Sequence, residues 1–203
     1  GKIIAPPHEI MHTVFSHMTE WKAVHRGTLR EPKRAESQRW KPPDEGWVKV
    51  NSDGAISKYG QKGGGGAVLR DHNGGFLAAA CHFFTNVVEP EASEILACKR
   101  GLQVGAELNA TRVHVELDAQ GVVNMLQQSS KNLSAVGPWV QEIKTILGSF
   151  AESKISWASR SANVAAHKLA KVGVGDELCK VWLEVPPDFV LDVISDEIPN
   201  AFD

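Results

Sequence analysis

Residues 47–55 have the sequence Trp-Val-Lys-Val-Asn-Ser-Asp-Gly-Ala, which has the pattern of a β-strand. Apolar and polar side chains alternate along it, so Val48 and Val50 face one side of a strand while Asp53 faces the other. A carboxylate at the end of a buried strand is costly to desolvate unless a cation or hydrogen-bond donor compensates its charge. The stretch therefore predicts a central strand that ends in a candidate functional acid.

The segments after this strand predict two more strands and then strands that alternate with helices. In chain order we expect strands over 66–70 and 76–84, a helix over 90–105, a strand over 113–117, helices over 119–128 and 138–147, a strand over 154–158 and a helix over 163–171. The glycines at 63–66 are interpreted as a flexible turn into the second strand. The pattern predicts an α/β domain whose five-stranded mixed sheet has three antiparallel and two parallel strands, with helices on both faces.

Composition limits the class of protein. The chain has 203 residues, of which 42% are hydrophobic and 23% charged, as in a globular domain with flanking segments. The three cysteines are widely spaced and are expected to be buried free thiols rather than disulfide or metal ligands. No segment approaches the roughly 18–20 apolar residues of a membrane span, and no signal-peptide pattern is present. We expect an intracellular protein, nuclear or cytoplasmic, with no membrane partner.

Apolar spacing, proline content and charge predict four segments: an amphipathic leader helix over 1–25, a linker over 26–45, an α/β domain over 46–173 and an acidic extension over 174–203 that packs on the core. The net charge is +4 over 1–41, +1 over 42–174 and −7 over 175–203. A nearly neutral domain predicts weak binding of nucleic acid. The apolar residues of the flanking segments could instead form the site of a protein partner.

Two further acids occupy informative positions. Asp118 ends the strand predicted over 113–117, and Glu94 lies in the first predicted helix. Each acid alone could cap a helix or stabilise a turn. Together with Asp53 they could instead converge on Mg²⁺ or Mn²⁺, which prefer hard oxygen ligands. Spacing along the chain leaves both interpretations open.

Five ordered blocks resemble the type 1 ribonuclease H family, and more narrowly the plant ribonuclease H-like domains related to those of non-LTR retrotransposons. The resemblance covers about residues 40–173. The blocks are Asn51-Ser52-Asp53-Gly54-Ala55, the strand from Gly65 to Asp71, Glu91-Ala92-Ser93-Glu94-Ile95-Leu96-Ala97, Val115-Glu116-Leu117-Asp118-Ala119, and the run from Arg160 through Asn163 and His167 to Lys171.

The resemblance implies a ribonuclease H-like fold and an endonuclease that hydrolyses the RNA strand of RNA/DNA hybrids and leaves a 5′ phosphate. Family members use two divalent ions, Mg²⁺ or Mn²⁺, about 3.5–4 Å apart. Asp53, Glu94 and Asp118 match the first three carboxylates of the family. The resemblance also implies substrate contacts at Ser52, Gly54, Arg160 and Asn163.

His167 departs from the family because it stands where the fourth carboxylate is expected. An imidazole is a softer ligand for Mg²⁺ and brings no negative charge, so we expect reduced activity, and the second ion is left open. The alternative is a catalytically weak or inactive ribonuclease H-like module that binds nucleic acid or a protein partner. The related 3′–5′ exonucleases carry Asp-x-Glu on the first strand, which Asp53-Gly54-Ala55 does not match.

Overall fold

The computed structural model describes residues 39–58, 61–87, 89–130 and 132–197. The elements in chain order are β1 (Val48–Ile56), β2 (Lys62–Arg70), β3 (Phe76–Thr85), α1 (Pro90–Glu107), β4 (Arg112–Leu117), α2 (Gln120–Gln127), α3 (Gly137–Leu147), β5 (Glu152–Trp157), a short 3-10 helix (Arg160–Ala162), α4 (Val164–Gly175), β6 (Lys180–Leu183) and α5 (Asp188–Glu197). The leader helix predicted over 1–25 and most of the predicted linker lie outside the described residues.

The strands form one mixed sheet in the order β5-β4-β1-β2-β3-β6. The parallel pairs β1–β4 and β4–β5 and the antiparallel pairs β1–β2 and β2–β3 follow the predicted arrangement. The prediction of five strands was wrong, because Lys180–Leu183 pairs antiparallel with β3 as a sixth strand. The open edge of β3 would otherwise expose unpaired backbone N–H and C=O groups, and the returning chain satisfies them.

The glycine run is a strand and not the flexible turn predicted for it. All four glycines belong to β2 and are buried. A Cβ atom at Gly66 would lie 2.3 Å from the carbonyl oxygen of Ala166 and the nitrogen of Ala170. A Cβ atom at Gly64 would lie 2.5 Å from the carbonyl oxygen of Ala170. Helix α4 therefore packs directly on the backbone of β2, which only glycine permits.

Each face of the sheet buries its own apolar cluster. The larger cluster joins the sheet to α1, α2 and α3, with Val50, Ile95, Leu102, Val115 and Ile143 at its centre. The smaller cluster joins the sheet to α4 and α5 through Val68, Ala79, Leu169, Val190 and Ile194. Full burial of one such Leu, Ile or Val side chain contributes about 1.5–3 kcal/mol to folding, so the two clusters anchor helices on both faces. In the described part of the chain, no helix has the length and apolar character to cross a membrane.

A buried arginine connects α5 and the segment before β1 to the sheet. Arg70 is 1% exposed, and its guanidinium carbon lies 3.5 Å from the centre of the Trp40 ring. Its Nη1 atom donates a 2.6 Å hydrogen bond to Oε2 of Glu197, and its Nη2 atom donates one of 3.3 Å to Oδ1 of Asn51. Trp40 Nε1 donates to the same oxygen of Asn51 at 2.8 Å. The cation is thus held by α5, β1 and the preceding segment together.

Replacing Glu197 by glutamine should lower the free energy of unfolding by about 2 kcal/mol at neutral pH. A glutamine at this position would keep the shape of the side chain, but the buried guanidinium would lose its counter-charge. Urea denaturation followed by circular dichroism measures the change. The matched control is Asp196→Asn, an exposed neighbour on the same helix, which should change stability by less than about 0.5 kcal/mol. Equal effects of the two variants would contradict the role assigned to the Arg70–Glu197 pair.

Candidate active site

Three carboxylates from separate elements converge at one end of the sheet. Asp53 lies on β1 and is 2% exposed, Glu94 lies in α1, and Asp118 follows β4 directly. One carboxylate oxygen from each residue lies within 4.8 Å of the other two. In the parallel pairing of β1 with β4, Ser52 lies opposite Leu117, and this register places Asp53, the next residue of β1, near Asp118. The structure therefore brings together the three acids that the sequence left unconnected.

Gly54 explains how Glu94 reaches the two strand acids. A Cβ atom at Gly54 would lie 2.5 Å from the backbone nitrogen of Glu94 and 2.7 Å from the carbonyl carbon of Ser93. Glycine therefore allows the first turn of α1 to rest on the backbone of β1. Ser93 strengthens this contact, since its buried hydroxyl donates a 2.7 Å hydrogen bond to the carbonyl of Gly64 on β2. Ser93 is a positioning residue that sequence patterns did not identify.

The electrostatics of the cluster favour a bound cation. Burial, together with the charges of Asp53 and Asp118, raises the pKa of Glu94 to about 9. Burial also raises the pKa of Asp53. Within the described residues, the buried Oε2 atom of Glu94 has no hydrogen-bond partner. A divalent cation would bind the unpartnered oxygen of Glu94 and offset the repulsion among the three carboxylates. Carboxylate oxygens are the ligands that Mg²⁺ and Mn²⁺ prefer, so the three residues fit such an ion.

Replacing Glu94 by glutamine should stabilise the metal-free protein at alkaline pH. The folded-state pKa of Glu94 lies above the value of 4.5 expected for the unfolded chain, so the folded state holds an extra proton between these values. The free energy of unfolding of the wild type therefore falls as pH rises between these two pKa values. Glutamine does not ionise, so the variant does not lose this stability. We expect a gain of at least about 1 kcal/mol near pH 8 and a much smaller gain near pH 5, measured by urea denaturation with EDTA. Glu91→Gln, an exposed change in the same helix turn, should show no such pH dependence, and a matching dependence would contradict the prediction.

Two basic side chains contact the acids. Nδ1 of His167, on α4, lies 2.7 Å from Oδ2 of Asp53, and the side chain is 31% exposed. Nε of Arg160 donates a 3.2 Å hydrogen bond to Oδ2 of Asp118, while the rest of its side chain is open to solvent at 79% exposure. The hydrogen bond and charge of Asp118 raise the pKa of Arg160 and keep the guanidinium charged. Two of the three carboxylates thus have one oxygen already engaged.

Asn163 and Ser52 lie beneath the site. Asn163 is 1% exposed, and its Nδ2 atom donates a 2.9 Å hydrogen bond to the backbone carbonyl of Ser52. The side chain of Ser52 is fully buried. This bond joins the start of α4 to β1, and so helps to fix the backbone that carries His167. The structure therefore does not place the side chains of Asn163 and Ser52 on the open surface of the site.

Trp157 is a site residue that the sequence patterns did not single out. It ends β5, is 46% exposed, and its Nε1 atom donates a 3.0 Å hydrogen bond to the backbone carbonyl of Asp118. A large aromatic side chain at a strand end was the available signal, but alternation alone does not show whether such a residue is open to solvent. Exposed aromatic rings beside a binding site provide surfaces for stacking of nucleic-acid bases.

Residues 51–173 match the family model described as reverse transcriptase-like. The chain belongs to this reverse transcriptase-like family. Over 99 residues it is 30% identical to a protein of Arabidopsis thaliana whose name includes ribonuclease H protein. That match covers 49% of this chain and 16% of the relative, so the chain spans only a small part of the relative's length.

Solved ribonuclease H structures share the fold of this reverse transcriptase-like chain. The ribonuclease H1 of the halophilic archaeon Halobacterium salinarum superposes with a TM-score of 0.60 at 21% identity, over 64% of this chain and 98% of that one. LC11 ribonuclease H1, solved in complex with an RNA/DNA hybrid, gives a TM-score of 0.57 at 17% identity, over 64% and 98% of the two chains. These likenesses confirm the predicted ribonuclease H-like fold.

Proposed function

We propose that this chain is a divalent-metal-dependent endonuclease that hydrolyses the RNA strand of RNA/DNA hybrids. The observation that carries the proposal is the convergence of Asp53, Glu94 and Asp118 within 4.8 Å on a ribonuclease H-like fold. Membership of the reverse transcriptase-like family and the solved hybrid complex of LC11 ribonuclease H1 support the choice of substrate. Two acids with raised pKa values beside a third acid are typical of a catalytic centre and unusual on a purely structural surface.

The three carboxylates would hold Mg²⁺ or Mn²⁺. When bound, the ion supplies Lewis-acid polarisation of the scissile phosphate and lowers the pKa of a water molecule that attacks it. Asp53 is the most enclosed of the three acids, so it anchors the centre, while Asp118 lies at the side lined by exposed residues. The rigid contact between α1 and β1 at Gly54 keeps Glu94 in place as substrate arrives.

Arg160 and Trp157 form the substrate side of the proposed site. The guanidinium of Arg160 stays charged and is 79% exposed beside Asp118, so it can pair with a backbone phosphate of the hybrid. The ring of Trp157, fixed by its bond to the Asp118 carbonyl, offers a stacking surface next to that phosphate. At the position where the family resemblance implies a fourth carboxylate, His167 has an imidazole without negative charge. This difference supports the proposal that the activity is lower than that of an enzyme with four carboxylates.

A panel of labelled nucleic acids tests the proposal. RNA/DNA hybrid, double-stranded RNA, single-stranded RNA and double-stranded DNA are incubated with the protein at low salt, with Mg²⁺ and separately with Mn²⁺. We expect cleavage of the RNA strand of the hybrid only, with activity that falls as salt rises because salt weakens the attraction between basic side chains and the phosphates. Cleavage of single-stranded RNA at the same rate would contradict the proposal. Binding of the hybrid without cleavage in either metal would support the alternative of a binding module.

A further inference from the structure

We infer that this site takes one divalent cation rather than two, because His167 and Arg160 hold the carboxylate oxygens that a second ion would need. The inference rests on the proposed function, since it concerns the metal stoichiometry of the same centre. It assigns His167 and Arg160 the role of positioning residues that set how many ions the acids bind.

The hydrogen bonds leave a limited set of ligand atoms. A carboxylate serves two ions by giving one oxygen to each. Oδ2 of Asp53 lies 2.7 Å from Nδ1 of His167, and Oδ2 of Asp118 accepts a 3.2 Å hydrogen bond from Arg160. Each of these carboxylates therefore retains one oxygen without such a contact. One such oxygen from each, together with Glu94, would form the donor set for a single ion.

The charge of the site leads to the same conclusion. Three ionised carboxylates carry more negative charge than one divalent ion neutralises. The positive charge of the Arg160 guanidinium reduces the remaining negative charge. A second divalent ion would give the centre a net positive charge in a partly buried position, where like charges repel strongly. His167 supplies no negative charge to offset that repulsion, whereas an aspartate at this position would.

The backbone of His167 has little freedom to withdraw from Asp53. Helix α4 packs so closely on β2 that a Cβ atom at Gly66 would lie 2.3 Å from the carbonyl oxygen of Ala166. The bond from Asn163 to β1 fixes the start of the same helix. The packing of the fold therefore fixes the backbone position from which the imidazole contacts the Asp53 carboxylate.

Titration of the folded full chain with Mn²⁺ tests the inference. Isothermal calorimetry gives the number of ions bound, and electron paramagnetic resonance separates an isolated Mn²⁺ ion from a spin-coupled pair. We expect about one ion with an uncoupled spectrum for the wild type. His167→Asp should double the stoichiometry and give a coupled spectrum. Gln141→Asp, which adds a charge on the exposed face of α3, should leave one ion, and Asp53→Asn should abolish binding.

The outcomes separate the inference from the proposed function. Two coupled ions in the wild type would overturn the inference and leave the proposed function intact. A single ion in both the wild type and His167→Asp, with the variant folded by circular dichroism, would overturn the role given to His167. A wild type that binds no Mn²⁺ would overturn both the inference and the proposed function.

Discussion

Gly66→Ala is expected to lower the free energy of unfolding by at least about 3 kcal/mol, a large share of the roughly 5–15 kcal/mol that stabilises a typical domain. The new Cβ atom would lie 2.3 Å from two backbone atoms of α4, the carbonyl oxygen of Ala166 and the nitrogen of Ala170. Backbone atoms cannot rotate aside as the end of a side chain can, so the whole helix would have to move away from the sheet. Urea denaturation measures the loss.

Gly105→Ala is the matched control. Gly105 lies inside α1, and the nearest heavy atom to an added Cβ is a methyl carbon of Leu69 at 3.6 Å, an ordinary contact distance. Alanine is also the better helix former, by about 0.8–1 kcal/mol, so this variant should be as stable as the wild type or more stable. A Gly66→Ala protein with wild-type stability would show that α4 does not pack on β2 as described.

The glycines at 63–66 also show why local sequence patterns can fail to predict secondary structure. Four consecutive glycines are typical of a turn when only local conformation is considered, and this is why the local pattern over 63–66 predicts one. Their strand conformation depends on α4, about a hundred residues later in the chain, which needs a surface without side chains. The need for a strand surface without side chains arises from tertiary packing, and local periodicity does not reveal it.

The main sheet was predictable because apolar and polar residues alternate along β4 and along the first part of β1. The alternation placed Asp118 directly after β4, as observed, whereas Asp53 was expected to end β1 and lies inside it, because β1 continues to Ile56. Strand β6 was missed because four residues are too few to establish a period, and its pairing depends on the free edge of β3. The convergence of Glu94 with the strand acids likewise depends on the packing allowed by Gly54, and spacing along the chain does not reveal it.

Asp53→Asn should reduce the rate of hybrid cleavage by at least about a thousandfold, equivalent to about 4 kcal/mol of transition-state stabilisation. Asparagine is nearly identical in shape, but it removes the negative charge of the most buried of the three acids. Single-turnover cleavage at saturating Mg²⁺ measures the loss. Folding should not suffer, because burial raises the pKa of Asp53 and the neutral side chain avoids the cost of a buried charge.

Asp196→Asn is the control for this loss of activity. It makes the same chemical change at an exposed position of α5 and should retain wild-type cleavage. Denaturation curves of both variants establish that each is folded. Activity of Asp53→Asn within tenfold of the wild type would contradict the assignment of Asp53 to the metal centre.

The chemistry of the cleaved ends decides whether the carboxylate cluster is a metal-dependent nuclease centre. The wild-type protein is incubated with a labelled hybrid, with Mg²⁺ or with excess EDTA, and the RNA fragments are analysed by mass spectrometry. Attack by water at a metal centre predicts fragments with a 5′ phosphate and a 3′ hydroxyl, formed with Mg²⁺ and absent with EDTA. Intact RNA in both samples, or fragments that end in a cyclic phosphate and form in EDTA, would contradict the proposal that Asp53, Glu94 and Asp118 support hydrolysis.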